Sequence, residues 1–233
     1  MRHRIHVDSL EPHVTVTGDE FHHSIRVVRA RVGEEVELFD QAGNAARGIV
    51  ESIERDRAVI KLGDPLPSRE SQFAIHLAMA VIQLEKFELV LQKGTELGVK
   101  TFIPLVTEHV ELRPERYANK TERWEKIVFE AVKQCGRTSI PKIESPATFD
   151  EVIARTGTKL LFDADAPPST PNPQQLPTDV TVLIGPEGGW APNELQRARD
   201  HGVVFERLGP RRLRAETAAI AAVAVLASRF GDL

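Results

Sequence analysis

One stretch decides the fold class of this chain: Val180-Thr-Val-Leu-Ile-Gly-Pro-Glu-Gly-Gly-Trp-Ala-Pro-Asn-Glu194. Its apolar, β-branched start predicts a buried strand, and its end predicts a helix with Pro192 in the first turn, where proline is tolerated. Glycines at the carboxyl end of a strand let the backbone approach a ligand, at the edge where open α/β sheets bind ligands. The turn is either a simple tight connection or part of a binding site. Its spacing matches neither G-x-G-x-x-G nor G-x-x-x-x-G-K-[ST], which argues against the usual dinucleotide and triphosphate sites.

A second stretch has the same organisation: Leu208-Gly-Pro-Arg-Arg-Leu-Arg-Ala-Glu-Thr-Ala218. A strand ends in Gly-Pro, and three arginines precede a helix. Such a run is usually a solvated basic surface, but at the carboxyl edge of a sheet the arginines could hold an anionic substrate. We expect this bend and Gly185–Gly189 to lie side by side and to form one niche.

The last two thirds of the chain alternate strands with helices, which predicts a parallel sheet covered by helices on both faces. The predicted strands are Ala74–Val81, Thr101–Val106, Pro141–Glu144, Lys159–Phe162, Val180–Ile184 and Val203–Leu208. The predicted helices are Glu85–Leu97, Thr121–Gln134, Phe149–Arg155, Pro192–His201 and Leu213–Phe230. Pro167–Pro177 is proline-rich and is expected to be an irregular surface loop. Gly94, inside a helix, is either tolerated or needed for close packing.

The first third of the chain is β-rich and predicts a small barrel. Its strands are expected at Arg4–Val7, Val14–Thr17, Val36–Asp40, Ala46–Ile53 and Arg57–Leu62. Gln41–Asn44 is the expected hairpin turn. Thr17 and Glu20 have capping-box spacing and predict the start of a helix. Two prolines in Asp64–Ser68 predict a linker.

The composition is that of an ordinary globular protein: 233 residues, 41% hydrophobic, with 30 Lys and Arg against 34 Asp and Glu, a net charge of −4. One cysteine, Cys135, excludes an intrachain disulfide and a multi-cysteine zinc site and suits a reducing cytosol. Neither a membrane-spanning run nor a signal peptide is expected, so we predict a cytoplasmic location without membrane association. No metal is expected either, because the adjacent His22 and His23 point in different directions on a helix and no histidine pair has metal-ligand spacing.

The motifs closely resemble those of the RsmE family, ribosomal RNA small-subunit methyltransferases of the SPOUT superfamily. The resemblance rests on Ile184–Gly189 and Leu208–Thr217, and it extends over nearly the whole chain. Phe21–Arg29, with Gly33-Glu34 and Leu38–Asp40, resembles the family's N-terminal barrel. Gln92–Val99 and Glu130–Arg137 resemble helices of its catalytic domain.

This resemblance implies a PUA-like RNA-binding barrel in residues 1–68 and a trefoil-knotted SPOUT methyltransferase domain in residues 72–233. It implies S-adenosylmethionine as methyl donor and a homodimer. It further implies methyl transfer to N3 of a uridine in the decoding region of 16S rRNA, within the small (30S) subunit. Three loops would hold the cofactor, with backbone groups around the adenine. Their residues would be Phe162, Asp163, Ile184, Gly185, Pro186, Gly188, Gly189, Leu208, Gly209, Leu213 and Thr217.

Uracil N3 carries a proton at neutral pH, so methylation needs a base, and the resulting anion needs a cation. Glu187 and Glu216 are the candidate bases and Arg214 the candidate cation, although both glutamates could instead be structural. Because the chain is acidic overall, RNA contacts must come from local patches. The candidates for these are His22, His23, Arg26, Arg29, Arg31, Arg211 and Arg212.

Two other functions remain open from the residues. One is a non-catalytic RNA-binding adaptor made of the barrel and a degenerate knot. The other is a nicotinamide-dependent reductase that uses the glycine turn, although the dinucleotide fingerprint and its ribose-binding acid are missing.

Overall fold

The computed structural model describes residues 3–27, 29–167, 178–230 and 232–233. The chain divides into two compact units: Met1–Glu70 with Val132–Ile140, and Ser71–Ala131 with Pro141–Leu233. The first unit therefore combines the N-terminal 70 residues with a short segment from the middle of the chain, Val132–Ile140. The loop predicted at Pro167–Pro177 lies outside the described residues, except for Pro167.

The first unit is built on one five-stranded sheet. Its strands are β1 (Arg4–Val7), β2 (His13–Thr17), β3 (Glu35–Asp40), β4 (Ala45–Ile53) and β5 (Arg57–Pro65), in the order β1-β3-β4-β5-β2. The β1–β3 pair is parallel and the other pairs are antiparallel. All five predicted strands are present. Gly43, at φ +85°, lies in the connection between β3 and β4, where the hairpin turn was predicted.

The capping box predicted at Thr17 is wrong. A single helical turn, α1 (Gly18–Phe21), continues as a π-helical segment, His22–Val27, and the side chain of Thr17 makes no capping hydrogen bond. The carboxylate of Glu20 instead accepts hydrogen bonds from the His6 amide at 3.3 Å and from Lys133 Nζ at 3.0 Å. A contact with a residue distant in sequence has therefore replaced the local cap.

The linker predicted at Asp64–Ser68 is wrong at its start, because β5 continues to Pro65. Pro65 is opposite Ala46 of β4, whereas the pairing of β5 with β2 ends at Lys61. The last residues of β5 thus have a strand partner on one side only. Proline lacks an amide donor and is tolerated at such an edge position.

The second unit contains a seven-stranded parallel sheet, as predicted. Its order is β12-β10-β11-β6-β7-β8, with β9 also paired to β7. The strands are β6 (Ala74–Ala80), β7 (Val99–Val106), β8 (Lys142–Ile143), β9 (Ala147–Thr148), β10 (Thr158–Phe162), β11 (Asp179–Ile184) and β12 (Val204–Glu206). The helices are α2 (Leu84–Glu96), α3 (Thr121–Cys135), α4 (Phe149–Ile153), α5 (Pro192–Asp200) and α6 (Ala215–Phe230), with a 3₁₀ turn at Pro114–Arg116. The last four residues of α3 belong to the first unit.

Two apolar cores cover the sheet of the second unit. One contains Phe87 of α2, Trp124 of α3 and Val223 of α6. The other contains Phe149 of α4 and Ala198 of α5. Alternate residues of β11 enter the two cores: Val182 packs in the first and Leu183 in the second. A strand buried on both faces must be apolar throughout, which is the pattern that made Val180–Ile184 recognisable.

Two boundaries near the end of the chain differ from prediction. Strand β12 ends at Glu206 and α6 begins at Ala215, so Leu208 and Leu213 belong to the connection between them. Leu213 is 38% exposed and is not part of the buried helix stripe on which it was predicted. The connection contains Gly209, at φ +115°, and Pro210, and neither residue favours a regular strand.

Candidate functional site

A cavity of about 910 Å³ lies in the second unit, where β10, β11 and β12 end. These neighbouring strands are parallel, so the segments that follow them meet at one edge of the sheet. Three such segments line the cavity: the β10 bend (Phe162–Asp165), the glycine bend (Gly185–Gly189) and the arginine bend (Leu208–Arg214). Gln83 and Lys86 complete the wall from the start of α2.

The glycine bend is both a tight turn and a cavity wall, so the two interpretations left open by the sequence do not exclude each other. Gly189 has φ +70°, and its amide donates to the Pro186 carbonyl at 2.9 Å. A Cβ on Gly185 would lie 3.0–3.3 Å from the ring of Trp190. That ring is fixed by a 3.0 Å hydrogen bond from its Nε1 to the Phe162 carbonyl, which joins the glycine bend to the β10 bend.

Glu194 anchors the helix that follows the glycine bend. It is 1% exposed, and its two carboxylate oxygens accept hydrogen bonds from the amides of Glu108 and Ala191, both at 2.9 Å. Asn193 Nδ2 donates to the Glu108 carboxylate at 2.9 Å. The start of α5 is thereby joined to the loop after β7. Glu194 was not predicted from the sequence, where its only signal is an acidic residue in the first turn of a predicted helix.

The arginine bend is joined to the β10 bend by an exposed ion pair. Arg212 Nη2 lies 2.8 Å from Asp165 Oδ2, and both side chains are about three-quarters exposed. Such a pair contributes little to stability, typically about 0.2–1 kcal/mol. Arg211 and Arg214 also line the cavity and are exposed. The arginine bend therefore brings positive charge to the cavity while remaining accessible to a ligand.

Glu187 forms the closest ion pair of the cavity wall. Its Oε1 lies 2.6 Å from Lys86 Nζ, and half of its side chain is exposed. The two residues are 101 positions apart, and nothing in the sequence indicated that Lys86 would belong to this site. The pair joins the start of α2 to the middle of the glycine bend.

The structure brings most of the predicted site residues together. Lining the cavity are Phe162, Asp163, Ile184, Gly185, Pro186, Gly188, Gly189, Leu208, Gly209 and Leu213, together with Glu187, Arg211, Arg212 and Arg214. Thr217 and Glu216 are not among the lining residues. Glu216 Oε2 is buried and has no hydrogen-bond partner within the described part of the chain.

The remaining predicted RNA-contacting residues lie in the first unit. His22, Arg26, Arg29 and Arg31 are exposed and His23 is half-buried. Arg29 has φ +65°, and Arg26 Nη2 donates to the Arg55 carbonyl at 2.8 Å.

Among the described residues, no cluster of three or more His, Cys, Asp or Glu has a geometry that could hold a metal ion. None of the helices in the described ranges is long and apolar enough to span a membrane.

Comparison with known proteins gives the family. Residues 69–227 match the model of an RNA methyltransferase domain, and residues 16–63 match that of an RNA methyltransferase PUA domain. The Buchnera aphidicola (Acyrthosiphon pisum) ribosomal RNA small subunit methyltransferase E is 32% identical over 91% of this chain and 86% of its own length. The chain belongs to the ribosomal RNA small subunit methyltransferase E family. The Bacillus subtilis member is 30% identical over 92% of this chain and 90% of its own length.

Solved structures support the same family and fold. The family member from Neisseria gonorrhoeae, bound to S-adenosyl methionine, has a TM-score of 0.86 at 28% identity and covers 98% of both chains. A putative methyltransferase from Legionella pneumophila, in complex with the cofactor SAM, has a TM-score of 0.85 at 33% identity and covers 98% of both chains. The family predicted from the motifs is confirmed, and so is an α/β methyltransferase fold with an N-terminal PUA domain.

Proposed function

We propose that this ribosomal RNA methyltransferase transfers a methyl group from S-adenosylmethionine to N3 of one uridine in the decoding region of 16S rRNA. The proposed substrate is the assembled small subunit, and the proposed enzyme is a cytoplasmic homodimer with a trefoil-knotted catalytic domain. The observation that carries the proposal is the single cavity formed by the glycine bend and the arginine bend. The family assignment and the S-adenosylmethionine bound to two related structures support it.

The residues around the cavity fit a nucleoside. Gly185, Gly188 and Gly189 line the cavity and present backbone without a side chain. The buried side chains of Phe162 and Ile184 add apolar surface. A site rich in peptide groups and apolar surface suits an adenosine without phosphates. When bound, S-adenosylmethionine supplies an electrophilic methyl group on a sulfonium.

In this proposal, the remaining work belongs to residues of the cavity wall. Of the two candidate bases, Glu187 is favoured because it lines the cavity, whereas Glu216 does not. Lys86 holds the Glu187 carboxylate in place at 2.6 Å, and this carboxylate accepts the proton of uracil N3. Arg214 stabilises the negative charge that the uracil ring carries once N3 has lost its proton. Orienting the two reactants provides the rest of the rate enhancement.

Calorimetric titration separates the proposed function from its two alternatives. We expect binding of S-adenosylmethionine and none of NADH, whereas a reductase would give the opposite result and a degenerate adaptor would bind neither. Incubation with 30S particles and labelled S-adenosylmethionine is expected to yield one N3-methyluridine per 16S rRNA. Cofactor binding without methylation of particles that lack this modification would contradict the proposed reaction.

Arg214→Ala is expected to retain S-adenosylmethionine affinity within about threefold and to lower turnover on 30S particles by about 100-fold or more, as for other losses of charge stabilisation. The reason is that Arg214 acts on charge that develops only during the reaction. Calorimetry and single-turnover methylation measure the two effects. Arg214→Lys keeps the charge and is expected to recover part of the loss. Turnover equal to that of the wild type would remove Arg214 from this role.

A further inference from the structure

A second cavity, of about 260 Å³, lies next to the first in the same unit. It is lined by Val81, Ile82, Gln83, His109, Glu111, Leu112, Pro186, Glu187 and Gly188. Four of these residues, Gln83, Pro186, Glu187 and Gly188, also line the large cavity. The two cavities therefore share a wall that includes the proposed base. A methyl acceptor must come within bonding reach of the donor, so its site has to adjoin the donor site.

The lining of the second cavity combines apolar surface with a few hydrogen-bonding groups. Val81 and Ile82 are buried and Leu112 is half-buried. The polar groups come from Gln83, His109, Glu111 and Glu187. Enzymes that modify a base extrude it into a pocket with apolar contacts for the ring and hydrogen bonds for its edge. The second cavity has both kinds of surface.

His109 has one ring nitrogen engaged by the glycine bend. Its Nδ1 lies 3.2 Å from the Gly188 carbonyl oxygen. A carbonyl oxygen only accepts, so Nδ1 donates, and in the neutral ring Nε2 is then an acceptor. A Cβ on Gly188 would lie 3.1 Å from His109 Cβ, so glycine at position 188 is what allows this approach.

An acceptor in this cavity distinguishes pyrimidines. Uracil carries a hydrogen on N3, whereas N3 of cytosine has none and is itself an acceptor. A site that requires a hydrogen bond from the ligand discriminates strongly against an analogue that lacks the donor. An acceptor such as His109 Nε2 or a Glu187 carboxylate oxygen therefore selects uracil.

We propose that the second cavity receives the uracil base of the target nucleotide and that His109 is a recognition residue for it. This inference rests on the proposed function, because it places the acceptor base beside the proposed cofactor site. Uracil in a nucleotide has one ring N–H, so in this proposal His109 Nε2 accepts a hydrogen bond from N3 when the base binds. Glu187, which lines both cavities, accepts that proton when the methyl group is transferred.

Chemical protection tests this assignment without catalysis. The full chain, saturated with S-adenosylhomocysteine, is treated with diethyl pyrocarbonate in the presence of millimolar uridine or cytidine 5′-monophosphate. Carbethoxylated histidines are then quantified by mass spectrometry. His201 is the matched control: it is exposed and its Nδ1 contacts a backbone carbonyl, that of Arg197, at 2.9 Å.

We expect the uridine nucleotide to slow modification of His109 at least threefold more than the cytidine nucleotide, with no effect on His201. Absence of protection, or equal protection by both nucleotides, overturns the assignment.

Two substitutions test the same cavity during turnover. Leu112→Phe reduces its volume and His109→Ala removes the acceptor. Both are expected to keep S-adenosylmethionine affinity within twofold and to lower kcat/KM for 30S particles at least tenfold. Leu89, on α2, is 42% exposed and lines neither cavity, so Leu89→Phe and His201→Ala are the controls and are expected to leave kcat/KM unchanged. Wild-type kinetics in folded Leu112→Phe and His109→Ala overturn the assignment. If the wild-type protein itself transfers no methyl group, the proposed function fails, while selective protection of His109 would still support a uracil site.

Discussion

At the scale of single residues, Glu187 is positioned for both of the roles that the sequence left open, a structural one and a catalytic one. Its 2.6 Å ion pair with Lys86 gives it a structural function, and its place on the cavity wall gives it access to a reacting base. Sequence patterns indicated Glu187 but not its partner Lys86. The two roles lead to different consequences when each partner is removed separately.

Glu187→Gln is expected to lower turnover on 30S particles by about 100-fold, the lower range for loss of a general base, with S-adenosylmethionine affinity within threefold. Lys86→Met removes the ion pair but leaves the carboxylate, so we expect a loss below about tenfold. Single-turnover methylation compares the two variants. Equal losses would show that Glu187 acts only as the partner of Lys86.

At the scale of secondary-structure elements, α2 shows why a helix keeps a glycine. A Cβ on Gly94 would lie 2.7 and 2.9 Å from two ring atoms of Phe102, which is buried on the neighbouring β7. Of the two explanations open from the sequence, close packing is the one that applies. Glycine costs the helix conformational entropy, but it leaves room for the ring of Phe102.

Gly94→Ala is therefore expected to lower the free energy of unfolding by about 1–3 kcal/mol, the usual cost of overpacking, although alanine favours helix by about 1 kcal/mol. Urea denaturation measures the change. In a Phe102→Leu background the two ring atoms that the new Cβ would meet are absent, so the effect of Gly94→Ala is expected to shrink or reverse. A stabilising effect in the wild-type background would contradict the packing explanation.

In the first unit, Glu70 fixes the chain segment that follows α3. One carboxylate oxygen accepts from the amides of Thr138 and Ser139 at 2.8 and 2.9 Å, and the other from Arg137 Nη2 at 2.9 Å. Burial by itself would raise the pKa of Glu70, but the hydrogen bonds from Arg137 and the two amides outweigh it. The pKa is therefore held below its usual value of 4.5. The ionised form of Glu70 is the one that stabilises the fold.

Glu70→Gln is expected to lower the free energy of unfolding by about 2 kcal/mol at neutral pH, the range for hydrogen bonds to a charged group. Because the folded-state pKa is depressed, this contribution is complete above the unfolded-state pKa near 4.5 and is lost as the pH falls through the folded-state pKa. Urea denaturation of both proteins as a function of pH is the measurement. A difference that stays constant below pH 4.5 would exclude the ionised carboxylate as its source.

At the scale of the whole molecule, a chain with a net charge of −4 has to bind RNA through local positive charge. Arg26 and Arg31 of the first unit are exposed, as are the arginines of the arginine bend in the second unit. Other exposed arginines of the first unit form ion pairs with carboxylates, such as Arg47 with Glu35 and Arg57 with Glu54, whereas Arg26 donates to a backbone carbonyl that carries no charge. Arg47 and Arg57 can therefore serve as controls for substitutions of Arg26 and Arg31.

The double variant Arg26→Gln/Arg31→Gln is expected to weaken binding to 30S particles and to reduce the slope of log K against log salt by about 1–2, since each phosphate contact contributes about 0.7–0.9. Affinity for S-adenosylmethionine is expected to remain unchanged. Arg47→Gln/Arg57→Gln is the control and should leave the slope as in the wild type. Equal slopes for all three proteins would remove these arginines from the RNA surface.

Sequence patterns predicted the parallel sheet and most of the cavity wall because both depend on local signals. Apolar runs fix β10 and β11, and glycine or proline fixes where each bend begins. The errors occurred where a distant partner competes with a local preference. Glu20 binds Lys133 instead of capping a helix at Thr17, and Pro65 stays in a strand because only one side is paired.

The amino-acid sequence by itself determined which segments are strands, where the glycine and arginine bends lie, and to which family the chain belongs. Periodicity and backbone preference are properties of neighbouring residues, and they need no knowledge of the rest of the fold. Only the tertiary structure decided that Lys86 meets Glu187, that Gly94 admits Phe102 and that His109 contacts the glycine bend. The first and last of these contacts join residues far apart in sequence, and all three form only when the packing of the sheet and helices brings the residues together.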